Sequence, residues 1–318
     1  MKITLKKINL RRAFTLAELL VAMTITIVLV SLTVVITGTA IDAWTSARTE
    51  IRAAGQAKIM LNAIGRDLES LVFRQGNNSS EWLIANSNDE GIGPELEPSP
   101  NAARLTFFTA ASDRYNGNAG SNEKTTGENI ADRDADKGGD VSVVSYQLDF
   151  ADPVWGDQSE NFSTFVLYRK LINPDETYDG GLSGQDDLES SFDENGGTNE
   201  LADLICENVY EFTATFVVAY RDEDGDNKTV SMPVMSSSRA GNAVRSFSIR
   251  GTGLAPNGST RSEFTGGRVA VVELAITVLS DEGVTILKKS PFRDDEAKAK
   301  FIEEHGFRYT RSVFIPQG

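Results

Sequence analysis

The chain has 318 residues but only one histidine, His305, and one cysteine, Cys206. A Ser-His-Asp site would have to be built on that histidine, and no nucleophile-elbow sequence accompanies it. His305 closes an amphipathic stretch just before Gly306. A cation-capable ring at that place is expected to meet the helix dipole. A single cysteine excludes an intramolecular disulfide, so the core alone must hold the fold. Cys206 lies in LADLICENV, read as an apolar helical turn, and is expected to be a small core residue with no base beside it. No glycine-rich phosphate loop of the P-loop kind is present, so an ATPase that drives assembly is expected to be a separate protein. Cations are also scarce, with 31 Lys and Arg against 46 Asp and Glu and a net charge of −15. That balance excludes a nucleic-acid groove, which needs clustered Lys and Arg. The expectation is a chain that is not an enzyme.

A long uncharged run stands out against this background. No charged residue occurs from Leu19 to Ile41, 23 positions in all. About 20 such residues cross a bilayer core as a helix. Lys2, Lys6, Lys7, Arg11 and Arg12 precede the run, and the first 17 residues hold no acid. This asymmetry puts the N-terminus in the cytoplasm and the rest outside it, anchored by one pass. Without the first 13 residues, 26 cations face 46 acids, a net −20. One acid, Glu18, stands at the head of the run, where a carboxylate is costly and needs a named partner.

Phe14, Thr15, Leu16, Ala17 and Glu18 after a basic leader resemble the N-terminal signal of type IV pilins and type II secretion pseudopilins. The resemblance implies that a prepilin peptidase cuts between Ala13 and Phe14 and methylates the new Phe14 amine. It also implies that Glu18 pairs with the N-terminal amine of a neighbouring pilin or pseudopilin subunit, each charge relieving the other in an apolar setting. Two departures stand out. Ala13 occupies a place that is usually Gly in that family. Val34-Val35-Ile36 fills the region where many major pilins carry Pro, so the helix is expected to be straight or to yield at Gly38. Two plainer readings compete: a secretory signal cut after Ala40, whose apolar core would be longer than usual, and an ordinary membrane anchor.

Residues 42–73 continue the helix with one apolar stripe, Ala47, Ile51, Ala54, Ala57, Leu61, Ile64, Leu68 and Leu71, flanked by Arg48, Glu50, Arg52, Lys58, Arg66 and Asp67. No Pro interrupts residues 14–73. The stripe is expected to pack on a sheet of the domain that follows. Residues 75–100 read as a loop pinned by Trp82, Leu83 and Ile84, and 112–140 and 173–200 read as acidic, Gly-rich loops. Strands are predicted at 104–110, 141–150, 162–172, 209–221, 268–280 and 307–315, several in strict period two. Asp281-Glu282-Gly283 reads as a hairpin turn into a strand over 284–288, and 294–305 reads as a helix stopped by Gly306. The fold class is therefore α+β: a long N-terminal helix (14–73, transmembrane over 19–41) packed on an antiparallel β-sheet domain (74–318). The later patterns at Tyr146–Leu148, Leu167–Arg169, ENVYEFTATFVVAY and FRYTRSVFIP look similar to the J-type minor pseudopilin of that family.

No cofactor is expected. Calcium is the alternative, at Asp222, Asp224 and Asp226 in RDEDGDNK or at Asp132, Asp134, Asp136 and Asp140 in DRDADKGGD. Neither run supplies the acid and glycine positions of a calcium loop, and the first reads more simply as a solvated turn between two strands. The reading is a minor pilin or pseudopilin of a type II secretion or pilus-like filament, held in the bacterial inner membrane with its domain outside the cytoplasm. Its rivals are a single-pass envelope protein that binds a ligand through its acidic loops without polymerising, and a secreted enzyme.

Overall fold

The computed structural model describes residues 15–76, 79–87, 92–94, 99, 103–111, 140–154, 162–179, 181–194, 201–222, 224–236, 241–259, 264, 266–289 and 292–315. Helix α1 (Leu16–Glu69) runs unbroken through Gly38. The strands are β1 (Glu81–Ser87), β2 (Ala103–Thr109), β3 (Ser142–Ala151), β4 (Thr164–Ile172), β5 (Leu204–Glu207), β6 (Val209–Arg221), β7 (Asn227–Pro233), β8 (Ser246–Arg250), β9 (Gly253–Pro256), β10 (Arg268–Leu279) and β11 (Gly306–Phe314). Short helices α2 (Pro174–Asp179) and α3 (Leu188–Glu194) follow β4, and α4 (Asp281–Lys289) and α5 (Asp295–His305) lie between β10 and β11. The class is α+β.

Two compact units result, Met1–Glu50 and Ile51–Gly318. The division falls inside α1. The last turns of the helix belong to the second unit because their buried face, including Ala53, Ala57, Met60, Leu61, Ile64 and Leu68, is part of that unit's core. The predicted stripe holds from Ala57 onward, but Ile51 is 73% exposed.

The second unit has two antiparallel sheets. Seven strands run in the order β5-β4-β3-β2-β1-β8-β9, and four in the order β11-β10-β6-β7. Their apolar faces share one core with the helix, through Phe107, Tyr146, Phe165, Phe212, Phe216 and Ile276 among others. Strands β6 and β10 bury the faces their alternation predicts. A register shift between Val269 and Val271 lets β10 bury Val269 as well as Val272.

Four sequence expectations are corrected. The loop over 75–100 contains β1, the strand between β2 and β8, with Leu83 and Ala85 buried on the core side. The acidic loop 173–200 carries α2 and α3, and its Leu182, Leu188 and Phe192 cover the outer face of the large sheet against Phe108, Val143 and Ile172. Residues 281–289 are helix α4 rather than a hairpin. Gly283 N–H donates to Ser280 Oγ at the helix start, Asp281 and Glu282 occupy the first turn, and Lys288 and Lys289 the last, which suits the helix dipole. Gly283 is needed because a Cβ there would lie 2.9 Å from His305 Cβ. Cys206 stands in β5 after a single 3-10 turn (Leu201–Asp203), not in a helix; it is buried, and desolvation pushes its thiol up to about 12. Of the other predicted acidic loop, 112–140, residues 112–139 lie outside the described residues.

Candidate functional site

The chemistry that the sequence singles out begins at the first turn of α1. Thr15 N–H donates to Glu18 Oε2 at 2.9 Å, and Thr15 Oγ1 to the same oxygen at 3.0 Å. In return Glu18 N–H donates to Thr15 Oγ1 at 3.3 Å. This reciprocal arrangement is a capping box, and it satisfies backbone donors that a helix start otherwise leaves open. Sequence reasoning named Thr15 within the N-terminal signal but not its capping role, although T-x-x-E is the signature of such a box. Ala13 and Phe14 lie outside the described residues.

Beyond this turn α1 is built for an apolar surrounding. All residues from 15 to 37 are exposed in the isolated chain, and the most apolar stretch buries nothing. Each Leu, Ile or Val left in water forgoes about 1.5–3 kcal/mol. The threonines on this surface return their hydroxyls to the helix: Thr24 to Val21 O, Thr26 to Ala22 O, Thr33 to Leu29 O and Thr37 to Thr33 O, each at 2.8 Å. Polar groups so satisfied can enter hydrocarbon or a helix bundle at small cost. Trp44, 72% exposed, follows the run by one turn, where an amphipathic ring suits a membrane interface. This single helix is compatible with a single-pass membrane anchor.

In the second unit the helix is fastened by charge as well as by packing. Asp67, placed by sequence on the polar flank, is 5% exposed. Its Oδ2 accepts from Tyr146 Oη at 2.5 Å and Arg169 Nε at 2.9 Å, and Arg169 Nε also reaches Tyr146 Oη at 3.0 Å. Burial, then the Asp67 charge, raise the Tyr146 phenol well above its ordinary value. Two further clusters hold the covering segment on the large sheet. Glu81, 2% exposed, accepts from Arg250 Nη2 at 2.6 Å and from Leu188 N–H at 3.1 Å. Arg104 bridges Glu189 at 3.2 Å and Asp193 at 2.5 Å, with its guanidinium 5.8 Å from the Phe192 ring centre. These clusters tie elements together.

Among the described residues the remaining candidates stand in separate elements. Asp222 Oδ1 accepts from Asp226 N–H at 2.8 Å, which lowers its carboxyl together with Lys228, whose Nζ lies 3.4 Å from Asp222 and 3.7 Å from Asp226. With Gly225 at φ +88°, DEDGDN is the turn between β6 and β7. Asp224 lies in that turn. Asp132, Asp134 and Asp136 lie outside the described residues. Among the described residues no group of three or more His, Cys, Asp or Glu could hold a metal ion. His305 ends α5 with its ring 5.1 Å from that of Phe301, and the Ser280 hydroxyl near it accepts from Gly283 N–H as part of the α4 start.

No family model matches the chain, and no curated protein does. Among solved structures it is similar to a type IV-like pilin from Thermus thermophilus, over 83% of this chain and 96% of that one, at 10% identity and a TM-score of 0.30.

Proposed function

We propose that this chain is a structural subunit of a type IV pilus-like filament, and within that class a minor pseudopilin of a type II secretion system. It is stored in the inner membrane through Leu19–Ile41 and trimmed between Ala13 and Phe14 by a prepilin peptidase. It then enters a bundle of like helices. The observation that carries this reading is the uncharged run of α1, exposed from residue 15 to 37, with one carboxylate at its head. Lipid or neighbouring apolar helices cover such a surface equally well, so storage and assembly are close in free energy. Both Thr15 bonds end on Glu18 Oε2, and among the described residues no donor reaches Oε1. The carboxylate can keep its own cap and accept the methylated Phe14 ammonium of a neighbour.

Glu18→Gln tests the pairing. Glutamine keeps an oxygen for the Thr15 N–H, since the box takes Glu or Gln, but removes the charge. Losing one partner of a buried ion pair costs about 3 kcal/mol or more, over 100-fold in incorporation. Thr15→Ala removes the hydroxyl half of the cap and costs about 1 kcal/mol, roughly fivefold. The expected result is normal membrane insertion for both variants, with co-isolation of partner subunits lost only for Glu18→Gln. Equal loss in both variants, or no loss in either, overturns the pairing.

A further inference from the structure

The two sheets have four edges, and three of them are blunted. β5 has four residues and a register shift against β4. β9 has four residues and ends in Pro256. β7 carries Lys228 and closes on Pro233. Short length, bulges, lysine and proline are the means by which proteins keep open edges from pairing. β11 has none of them. It is nine residues long, lacks Lys and Pro, and pairs with β10 in unbroken register from Leu279↔Gly306 to Val271↔Phe314. No strand lies on its other side among the described residues.

The hydrogen-bond phase of this edge is fixed. Ser280 N–H donates to His305 O at 2.9 Å, and Ile315 N–H to Ala270 O at 3.2 Å. In an antiparallel pair bonded residues alternate with unbonded ones. Residues Phe307, Tyr309, Arg311 and Val313 therefore turn their backbone groups to β10. Arg308, Thr310, Ser312 and Phe314 turn theirs to the open side, and all four are exposed.

Beside this edge runs a groove of about 460 Å³, bounded by Tyr309, Thr310 and Arg311 of β11 and by Ala54, Lys58 and Leu61 of α1. A free strand edge next to a helix is the arrangement that receives an extended peptide as an added strand. The charge of the groove is unlike that of the chain. Lys58 and Arg311 line it, with no acid among the lining residues, in a molecule of net charge −15. Arg311 lies over Gly65, where a Cβ would come 2.5 Å from its Cζ, and it bonds Asn62 and Glu69 Oε1 (3.2 Å). Lys58, on the α1 side of the groove, is exposed.

We infer that the β11 edge is a docking site for an extended acidic segment of a partner protein, added as a fifth strand with carboxylates over Lys58. Backbone bonds to Arg308, Thr310, Ser312 and Phe314 supply the affinity, and the cations supply the choice of partner. The site stands whether or not the chain polymerises through Glu18, because it uses neither α1's membrane run nor its first turn.

The test is amide hydrogen exchange on the full chain in detergent, with a nine-residue peptide of alternating valine and glutamate as the probe. Exchange at Arg308, Thr310, Ser312 and Phe314 is expected to slow about tenfold, while Tyr309, Arg311 and Val313 stay unchanged. A peptide with lysine for glutamate should protect nothing, and Lys58→Glu should weaken the acidic peptide about fivefold. Absence of the alternating protection overturns the site, and equal protection by the lysine peptide overturns the acidic partner. Protection without peptide that grows with protein concentration assigns the edge to a second copy instead.

Discussion

The Asp67, Tyr146 and Arg169 cluster makes a quantitative claim about what holds the last turns of α1 on the large sheet. Asp67→Asn keeps the shape and leaves an oxygen for Tyr146 Oη but removes the negative charge beside Arg169. The side chains of Asp67 and Arg169 are 7% and 17% exposed, so solvent screens little of the loss. Breaking a buried pair by removing one charge costs 3–5 kcal/mol, and the residual exposure of Arg169 places this case near the lower figure, about 3 kcal/mol. Replacing both partners avoids the stranded charge, so Asp67→Asn with Arg169→Met should recover about half of that loss. Urea unfolding of the full chain in detergent, followed by tryptophan fluorescence, measures all four corners of the cycle. A cost below about 1 kcal/mol for Asp67→Asn refutes the reasoning. So does a double variant whose loss equals the sum of the singles, because the pair would then carry no coupling.

Two further outcomes follow from the same contacts. Tyr146 keeps its proton in the folded state past pH 10, so the native chain binds more protons than the unfolded one there. Stability is therefore fully present below pH 10 and falls as pH rises above it, and Tyr146→Phe should flatten this alkaline limb in a melting series. Gly306, between α5 and β11, has an ordinary φ of −108°, yet a Cβ there would lie 2.5 Å from Ile302 O. Gly306→Ala should cost about 2 kcal/mol by forcing the turn open, read as a drop in urea midpoint, whereas Gly225→Ala in the exposed β6–β7 turn should cost about 1 kcal/mol from its positive φ alone.

How far the sequence disclosed this structure depended on whether one face or two are buried. The helix run was plain because 23 uncharged residues have few other uses. Strands β6 and β10 were plain because one face is in the core and the other is polar. β1 escaped because both of its faces are covered: Leu83 and Ala85 on one side, Trp82 and Ile84 on the other, where the segment carrying α3 lies. That segment escaped in turn because Leu182, Leu188 and Phe192 are thinly spread among acids. Helix α4 was hidden by Gly283, which reads as a turn but serves the close approach of His305. Asp67 was misplaced because an isolated acid next to Arg66 looks like a solvated flank, and only the fold brings Arg169 and Tyr146 to it. At the helix head the capping box was legible in Thr15 and Glu18, and the hydrogen bonds there give Glu18 a local partner in addition to the one proposed in a neighbouring subunit.

Intact mass and N-terminal sequencing of the protein isolated from its own membrane test the central claim most directly. The account predicts a chain that begins at an N-methylated Phe14, which leaves Glu18 one helical turn from a new amine. A chain that begins at Ile41, or one that retains Met1, contradicts it.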